Sequence, residues 1–264
     1  MQQLQHSFDI RRWCGLALVA ATILGLRLLP DTPPAVAATV TLYDGALGGT
    51  PDTQGFSYLT EPIVSAQASQ SFANGTTTLT TTLQISDKAG YFAKNERMPQ
   101  LDRTAGYTVR FATQVLEENH SNNNRAGFSV IVLSSDLRGI ELGFWEDQVW
   151  AQADSPPFTH AETRMLDTTA GLIAYELRIL GNSYTLTGGG ATLSGPLRDY
   201  SAEGPPYTLA NFLFLGDDTT SASARIRLTK VDVVTGGAPT ATATGTARSL
   251  YLPAVVRPTA GASR

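Results

Sequence analysis

From Thr39 to Val234 the chain alternates apolar and polar side chains with a period of two, and clusters of Gly, Pro, Asn and Asp punctuate the runs. Successive side chains of an extended strand point to opposite faces, so this period describes strands with one buried face and not the 3.6-residue repeat of a helix. The clearest run is 106–117, where Tyr107, Val109, Phe111, Thr113 and Val115 face one way and Thr108, Arg110, Ala112 and Gln114 the other. A polar turn at 118–124 follows, then predicted strands at 126–133, 139–145 and 148–153, with hairpin turns at 136–139 and 146–147. Ile173, Tyr175, Leu177 and Ile179 repeat the alternation in 172–180, and Gly181-Asn182 turns the chain back into 183–187. Residues 211–215 are almost continuously apolar, and 224–234 carry Ile226, Leu228, Val231 and Val233. Earlier strands are predicted at 39–43, 55–59 and 77–85, with the Thr-rich stretch 76–82 as an edge or solvent-facing strand. About a dozen short strands, without a helix or an internal repeat, predict an all-β sandwich or barrel.

The two ends differ from this body. Arg11 and Arg12 precede an apolar run from Trp13 to Leu26, and Ala35-Val36-Ala37-Ala38 offers small residues for a leader peptidase. Residues 1–38 therefore read as a cleaved signal peptide with a helical apolar segment, too short to span a bilayer comfortably, which needs about 20 residues. The expected destination is secretion or the cell surface, with no stable transmembrane segment in the mature chain. After the domain at 39–236, residues 237–248 are a Pro/Thr/Ala linker too poor in apolar side chains to pack, expected to be disordered. Residues 249–264 form a short tail whose apolar part, Leu250-Tyr-Leu-Pro-Ala-Val-Val256, suits either a docked last strand or a sorting tag.

The one cysteine, Cys14, lies inside the expected leader, so the mature domain has no disulfide and must be held by its core. Residues 1–38 carry three arginines and two aspartates. Without them, sixteen basic face twenty-one acidic residues, a net charge of −5. No basic patch stands out, which argues against nucleic acid as a partner.

Tyr107-Thr-Val-Arg-Phe111, Gly127-Phe-Ser-Val-Ile-Val132, Gly139-Ile-Glu-Leu-Gly-Phe144 and the pair Phe214-Leu-Gly-Asp217 and Ala224-Arg-Ile-Arg-Leu228 resemble strands of the concanavalin A-like, or laminin G-like, jelly-roll superfamily. With the opening Leu42-Tyr-Asp-Gly45, residues 39–235 are also similar to bacterial surface domains of the "choice-of-anchor" type. The resemblance implies a two-sheet antiparallel jelly-roll sandwich. It supports the fold more strongly than any activity.

Some jelly-roll enzymes cut glycans with two strand-borne carboxylates, which retention of configuration places about 5 Å apart. Glu141, Glu146 and Asp147 do not meet that need: Glu141 and Asp147 share a face but lie about 20 Å apart on an extended strand, and Glu141 and Glu146 have opposite parity. The expected function is thus a non-catalytic binding domain with carbohydrate as ligand, and an extracellular glycan or cell-envelope component as partner. A glycoside hydrolase and a purely structural surface protein are the alternatives. The binding candidates are Glu141, Trp145, Trp150, His160, Arg198, Asp199 and Tyr200, with Tyr207 as a further aromatic. Trp145 shares a face with Glu141, and Gly143 leaves room between them for a shallow patch, although either tryptophan taken singly reads better as a core or rim aromatic. Laminin G-like folds often hold calcium at a loop rim, so Asp217 and Asp218, and the Asp44-Gly45 turn, are candidate Ca2+ ligands. His120 and His160 without a cysteine do not make a metal site.

Overall fold

The computed structural model describes residues 37–94 and 97–236. The expected leader, apart from its last two residues, and the expected linker and tail lie outside the described residues.

Fifteen strands follow one another: β1 Ala38–Asp44, β2 Ser57–Glu61, β3 Ser69–Ala73, β4 Thr76–Thr80, β5 Lys88–Lys94, β6 Tyr107–His120, β7 Ser129–Leu133, β8 Gly139–Phe144, β9 Gln148–Asp154, β10 Pro157–Met165, β11 Ile173–Leu180, β12 Ser183–Gly188, β13 Ala191–Pro196, β14 Phe212–Asp217 and β15 Ala222–Thr235. All pairings are antiparallel. One sheet runs β13-β12-β11-β6-β15-β4-β3, with β1 also on β15, and the second runs β10-β9-β8-β7-β14-β5-β2. The expected two-sheet sandwich is the observed fold.

Alternation fills the space between the sheets. Tyr107, Val109 and Phe111 of β6 and Tyr175, Leu177 and Ile179 of β11 point inward, onto Ile140, Leu142 and Phe144 of β8 and Leu213 and Leu215 of β14. Phe111 stacks on Tyr175 at 5.1 Å and meets Phe144 edge-on at 6.0 Å. In β15 the inward residues change parity, from Ile226 and Leu228 to Val231 and Val233. The register against β6 slips between Leu228 and Lys230. A β-bulge at Thr229 supplies the extra residue and keeps both halves of the strand facing the core.

The Thr-rich strand β4 departs from its expected place at an edge. It lies between β15 and β3, and Thr77 is buried with its hydroxyl 2.8 Å from that of Tyr43.

The seven-stranded sheet is buried on both faces at its centre: every residue of β7, β8 and β14 is largely buried. One face meets the other sheet. The outer face carries Glu141, Ile131, Phe214 and Phe92 in one cross-strand row, and Trp150, Gly143, Ser129, Gly216 and Gly90 in the next. The small residues of the second row make a trough in which rings lie. A Cβ on Gly143 would stand 2.6 Å from the Trp150 ring, and one on Gly90 2.5 Å from that of Phe214. Residues 197–211 then cross this face as a strap, anchored where Arg198 bridges Gly139 in antiparallel fashion. Tyr200 and Tyr207 of the strap pack with Ile131, Leu133, Phe212 and Phe214 into a second apolar cluster.

Because the Trp150 ring is enclosed and cannot swing aside, Gly143→Ala should cost about 1–3 kcal/mol of stability. Urea unfolding would read this as a lower midpoint at unchanged slope. An unchanged midpoint would mean that the ring has room to move.

Candidate functional site

The outer face of the seven-stranded sheet divides at the strap into a largely buried polar nest and an open groove. The nest is built on Glu141, whose place in β8 opposite Ile131 puts its carboxylate away from the main core. Its side chain is 0% exposed. Oε2 accepts a 2.5 Å hydrogen bond from the Tyr207 hydroxyl. Arg125 lies 3.6 Å from Oε1 and pairs with Asp218 at 3.1 Å, and its guanidinium sits over the Phe158 ring at 4.9 Å. The Tyr207 hydroxyl is also 3.4 Å from Asp218 Oδ2. The two carboxylate oxygens that share it therefore stand at most 5.9 Å apart, the 2.5 Å and 3.4 Å legs laid end to end.

Burial, reinforced by the Asp218 charge, pushes the Glu141 carboxyl up to about 8, against the opposing pull of Arg125 and Tyr207. Glu141 Oε1 is buried without a hydrogen-bond partner, which costs less in a neutral carboxyl than in a carboxylate. For Arg125, burial disfavours the charge, but the Asp218 carboxylate, paired with it at 3.1 Å, opposes this and holds the guanidinium charged. A protonated Glu141 beside the Arg125–Asp218 pair leaves the nest electrically neutral, which limits the cost of enclosing it.

The nest brings together Glu141, Trp145, Trp150, His160 and Tyr200, with Glu141, Trp150 and Tyr200 buried and Trp145 and His160 partly exposed at its margin. Trp150 is 0% exposed and stacks on the His160 ring at 3.7 Å. Trp145 has His120 parallel to one face at 3.9 Å and the Trp150 edge at 6.0 Å, and its indole N–H donates to the Arg125 carbonyl. The expected sugar-stacking patch of Trp145, Gly143 and Glu141 is therefore not formed: the room above Gly143 holds the Trp150 ring. Burial, with His120 nearby, lowers the His160 pKa. Tyr200 is buried and donates to the Gln152 carbonyl at 2.7 Å. Arg198 and Asp199 stand outside the nest at the start of the strap. Arg198 is paired with Glu162 at 2.6 Å and bonded to the Pro196 carbonyl, and Asp199 faces Arg138 at 3.6 Å and caps Ser201.

The aspartates read as calcium ligands have protein partners in the fold. Asp217 accepts from the Thr81 hydroxyl at 2.6 Å and the Thr219 amide at 3.1 Å, and burial raises its pKa well above the usual range. Asp218 holds Arg125, while Asp44 accepts from the Ala46 amide and lies 3.6 Å from Lys230. Among the described residues no three His, Cys, Asp or Glu side chains are grouped to hold an ion.

Across the strap lies a groove of about 330 Å³. Phe92, Ile131, Phe212 and Phe214 form its apolar floor, Pro205, Pro206 and Leu209 of the strap one wall, and Leu59, Glu61 and Lys88 the other. Asp217 and Asp218 also line it, so Asp218 belongs to both halves of the face. The sequence reading missed the groove, as well as Arg125 and Gln152. The one local signal for the floor is the apolar run of β14, on which every second residue faces outward.

No family model matches the sequence, and no curated protein matches it. Solved structures do. A conserved carbohydrate esterase from the Shiga toxin-encoding bacteriophage phi24B is 16% identical, with 76% of this chain and 100% of that one covered at a TM-score of 0.50. The transglycosylase Crh5 is 11% identical over 77% of this chain and 85% of its own at 0.46. Lectin I-B4 of Griffonia simplicifolia is 11% identical over 74% and 98% at 0.43. The first of these, with the strand order above, establishes the fold as a two-sheet jelly-roll sandwich, in agreement with the resemblance read from the strand motifs.

Proposed function

We propose that this chain is a secreted or cell-surface, non-catalytic domain that binds carbohydrate in the groove on the outer face of its seven-stranded sheet. The groove carries the proposal. Its volume is of the size that holds a small ligand, about 300–1,000 Å³, and it pairs an apolar, aromatic floor with a few charged groups at its margin. The half-buried Phe92, stacked on Phe212 at 6.3 Å, offers a flat apolar surface to the C–H face of a sugar ring. Glu61, Lys88 and Asp218 supply partners for hydroxyls. The phage protein of like fold is described as acting on carbohydrate, which fits a glycan ligand without identifying one.

The Glu141–Asp218 pair favours a second reading, a glycoside hydrolase, because its oxygens lie within the separation a retaining mechanism uses. Arg125 is wedged between the two acids, and the strap encloses Glu141. A substrate cannot touch that carboxyl while Tyr207 covers it. This favours binding over cleavage.

A glycan array probed with the full chain should return bound oligosaccharides, and Phe92→Ala should weaken their binding about tenfold while the fold is kept. Uniform absence of binding would overturn the proposal in favour of a structural surface protein. New reducing ends from the bound glycan, lost in Glu141→Gln, would instead establish the hydrolase.

A further inference from the structure

The wall of the groove runs on into exposed aliphatic residues. Beyond Glu61, at the end of β2, the chain reads Pro62-Ile-Val-Ser-Ala66. Ahead of Lys88, at the start of β5, it reads Thr81-Thr-Leu-Gln-Ile-Ser86. Glu61 and Lys88 are cross-strand partners, so both segments leave the same end of one strand pair. Ile63 is 80% exposed, Val64 96%, Leu83 67% and Ile85 40%. Buried Asp87 braces the two segments by accepting from the Gln67 and Ala68 amides, and Gln67 reaches Gln84 at 3.2 Å. The tip is thus held in shape with its aliphatic side chains outward. Neither segment has a charged residue before Asp87, and neither has an aromatic one. At its base Lys88 and Glu61 neutralise one another at 2.6 Å while lining the groove with Leu59.

We propose that the glycan held in the groove is borne on a membrane lipid, with the Ile63–Val64 and Leu83–Ile85 tip entering the bilayer interface beside it. This rests on the carbohydrate-binding reading of the groove. The groove and tip are continuous through Leu59, Glu61 and Lys88, so a ligand that fills the first brings whatever carries it against the second. An uncharged aliphatic tip enters the acyl boundary with no charge to desolvate, and each side chain it buries there is favourable. The Glu61–Lys88 pair at its base matches the mixed charge of a zwitterionic headgroup layer.

The test uses the full chain and phosphatidylcholine vesicles, with or without a neoglycolipid that carries the best-bound oligosaccharide of the array. The chain should sediment with the glycan-bearing vesicles only. The double variant Ile63→Asp, Val64→Asp should lose at least about tenfold in vesicle affinity and keep its affinity for the same oligosaccharide free in solution. Phe92→Ala should lose both. Vesicle binding by the double variant equal to that of the parent would overturn the inference, as would equal sedimentation with glycan-free vesicles, and both would leave the glycan reading standing. Failure of the parent chain to bind the free oligosaccharide would overturn that reading, and this inference with it.

Discussion

Trp150→Ala should destabilise the domain by about 3–5 kcal/mol, the cost of truncating a fully buried large aromatic side chain. In a domain of this size that lowers the melting temperature on the order of 10 °C. The indole lies in the trough above Gly143, stacks on His160 and meets Trp145 edge-on, so its removal leaves a cavity that the surrounding strands cannot close. The same substitution also separates the two roles a tryptophan could have at this position. A sugar platform would be exposed, and its loss would abolish binding while stability moved by less than about 0.5 kcal/mol. Urea unfolding of the variant, beside its oligosaccharide affinity, distinguishes them. A stable variant that no longer binds would return Trp150 to the ligand and refute its assignment to packing.

That tryptophan marks the limit of what the sequence made legible. Strands with one buried face announce themselves, as in β6 and β11, where the alternate residues Tyr107, Val109 and Phe111 and Tyr175, Leu177 and Ile179 all point inward. Four strands were not predicted, each for a local reason. β5 sets Tyr91 in the core beside Phe92 on the groove floor, and apolar residues on both faces erase the alternation. β10 is largely polar and slips register twice against β9. β13 ends in Gly195-Pro196, and only Leu193 is buried in it. β3 is an edge strand with no fully buried residue. Parity did place Glu141 and Trp145 on one face. It could not report that residues 197–211 return to cover that side, since the covering depends on contacts between segments distant in sequence, such as Tyr207 with Glu141 and Arg125 with Asp218.

The covering also bears on function. An outer sheet face with a carboxylate pair, an arginine and several aromatic rings has the chemical content of a glycan-processing site, and the strap divides that content. Tyr200 and Tyr207 turn one half into core, while Pro205, Pro206 and Leu209 of the same segment give the other half its wall. Loss of access at the nest and gain of shape at the groove are consequences of one loop. That division is what the proposed binding role rests on.

Glu141→Gln should make the domain more stable than the parent at alkaline pH and bring the two together in acid. An unfolded glutamate titrates near 4.3, whereas in the fold burial and the Asp218 charge carry Glu141 up to about 8. Below pH about 4 both states hold the proton, and the group contributes nothing to the pH dependence. Between the two pKa values the unfolded chain releases its proton while the folded chain keeps it, so stability falls as pH rises. Above about 8 the folded state ionises as well, and the fall stops. The span corresponds to roughly 3–5 kcal/mol. Glutamine can accept from Tyr207 through its carbonyl oxygen and has no proton to lose, so its own contribution is flat. Asp217, also raised by burial, tilts both curves alike and cancels in their difference. Urea unfolding of parent and variant at intervals from pH 4.5 to 9 gives that difference directly. Parallel curves would show that Glu141 is ionised throughout, and that Arg125, shared with Asp218, is enough to hold two buried carboxylates.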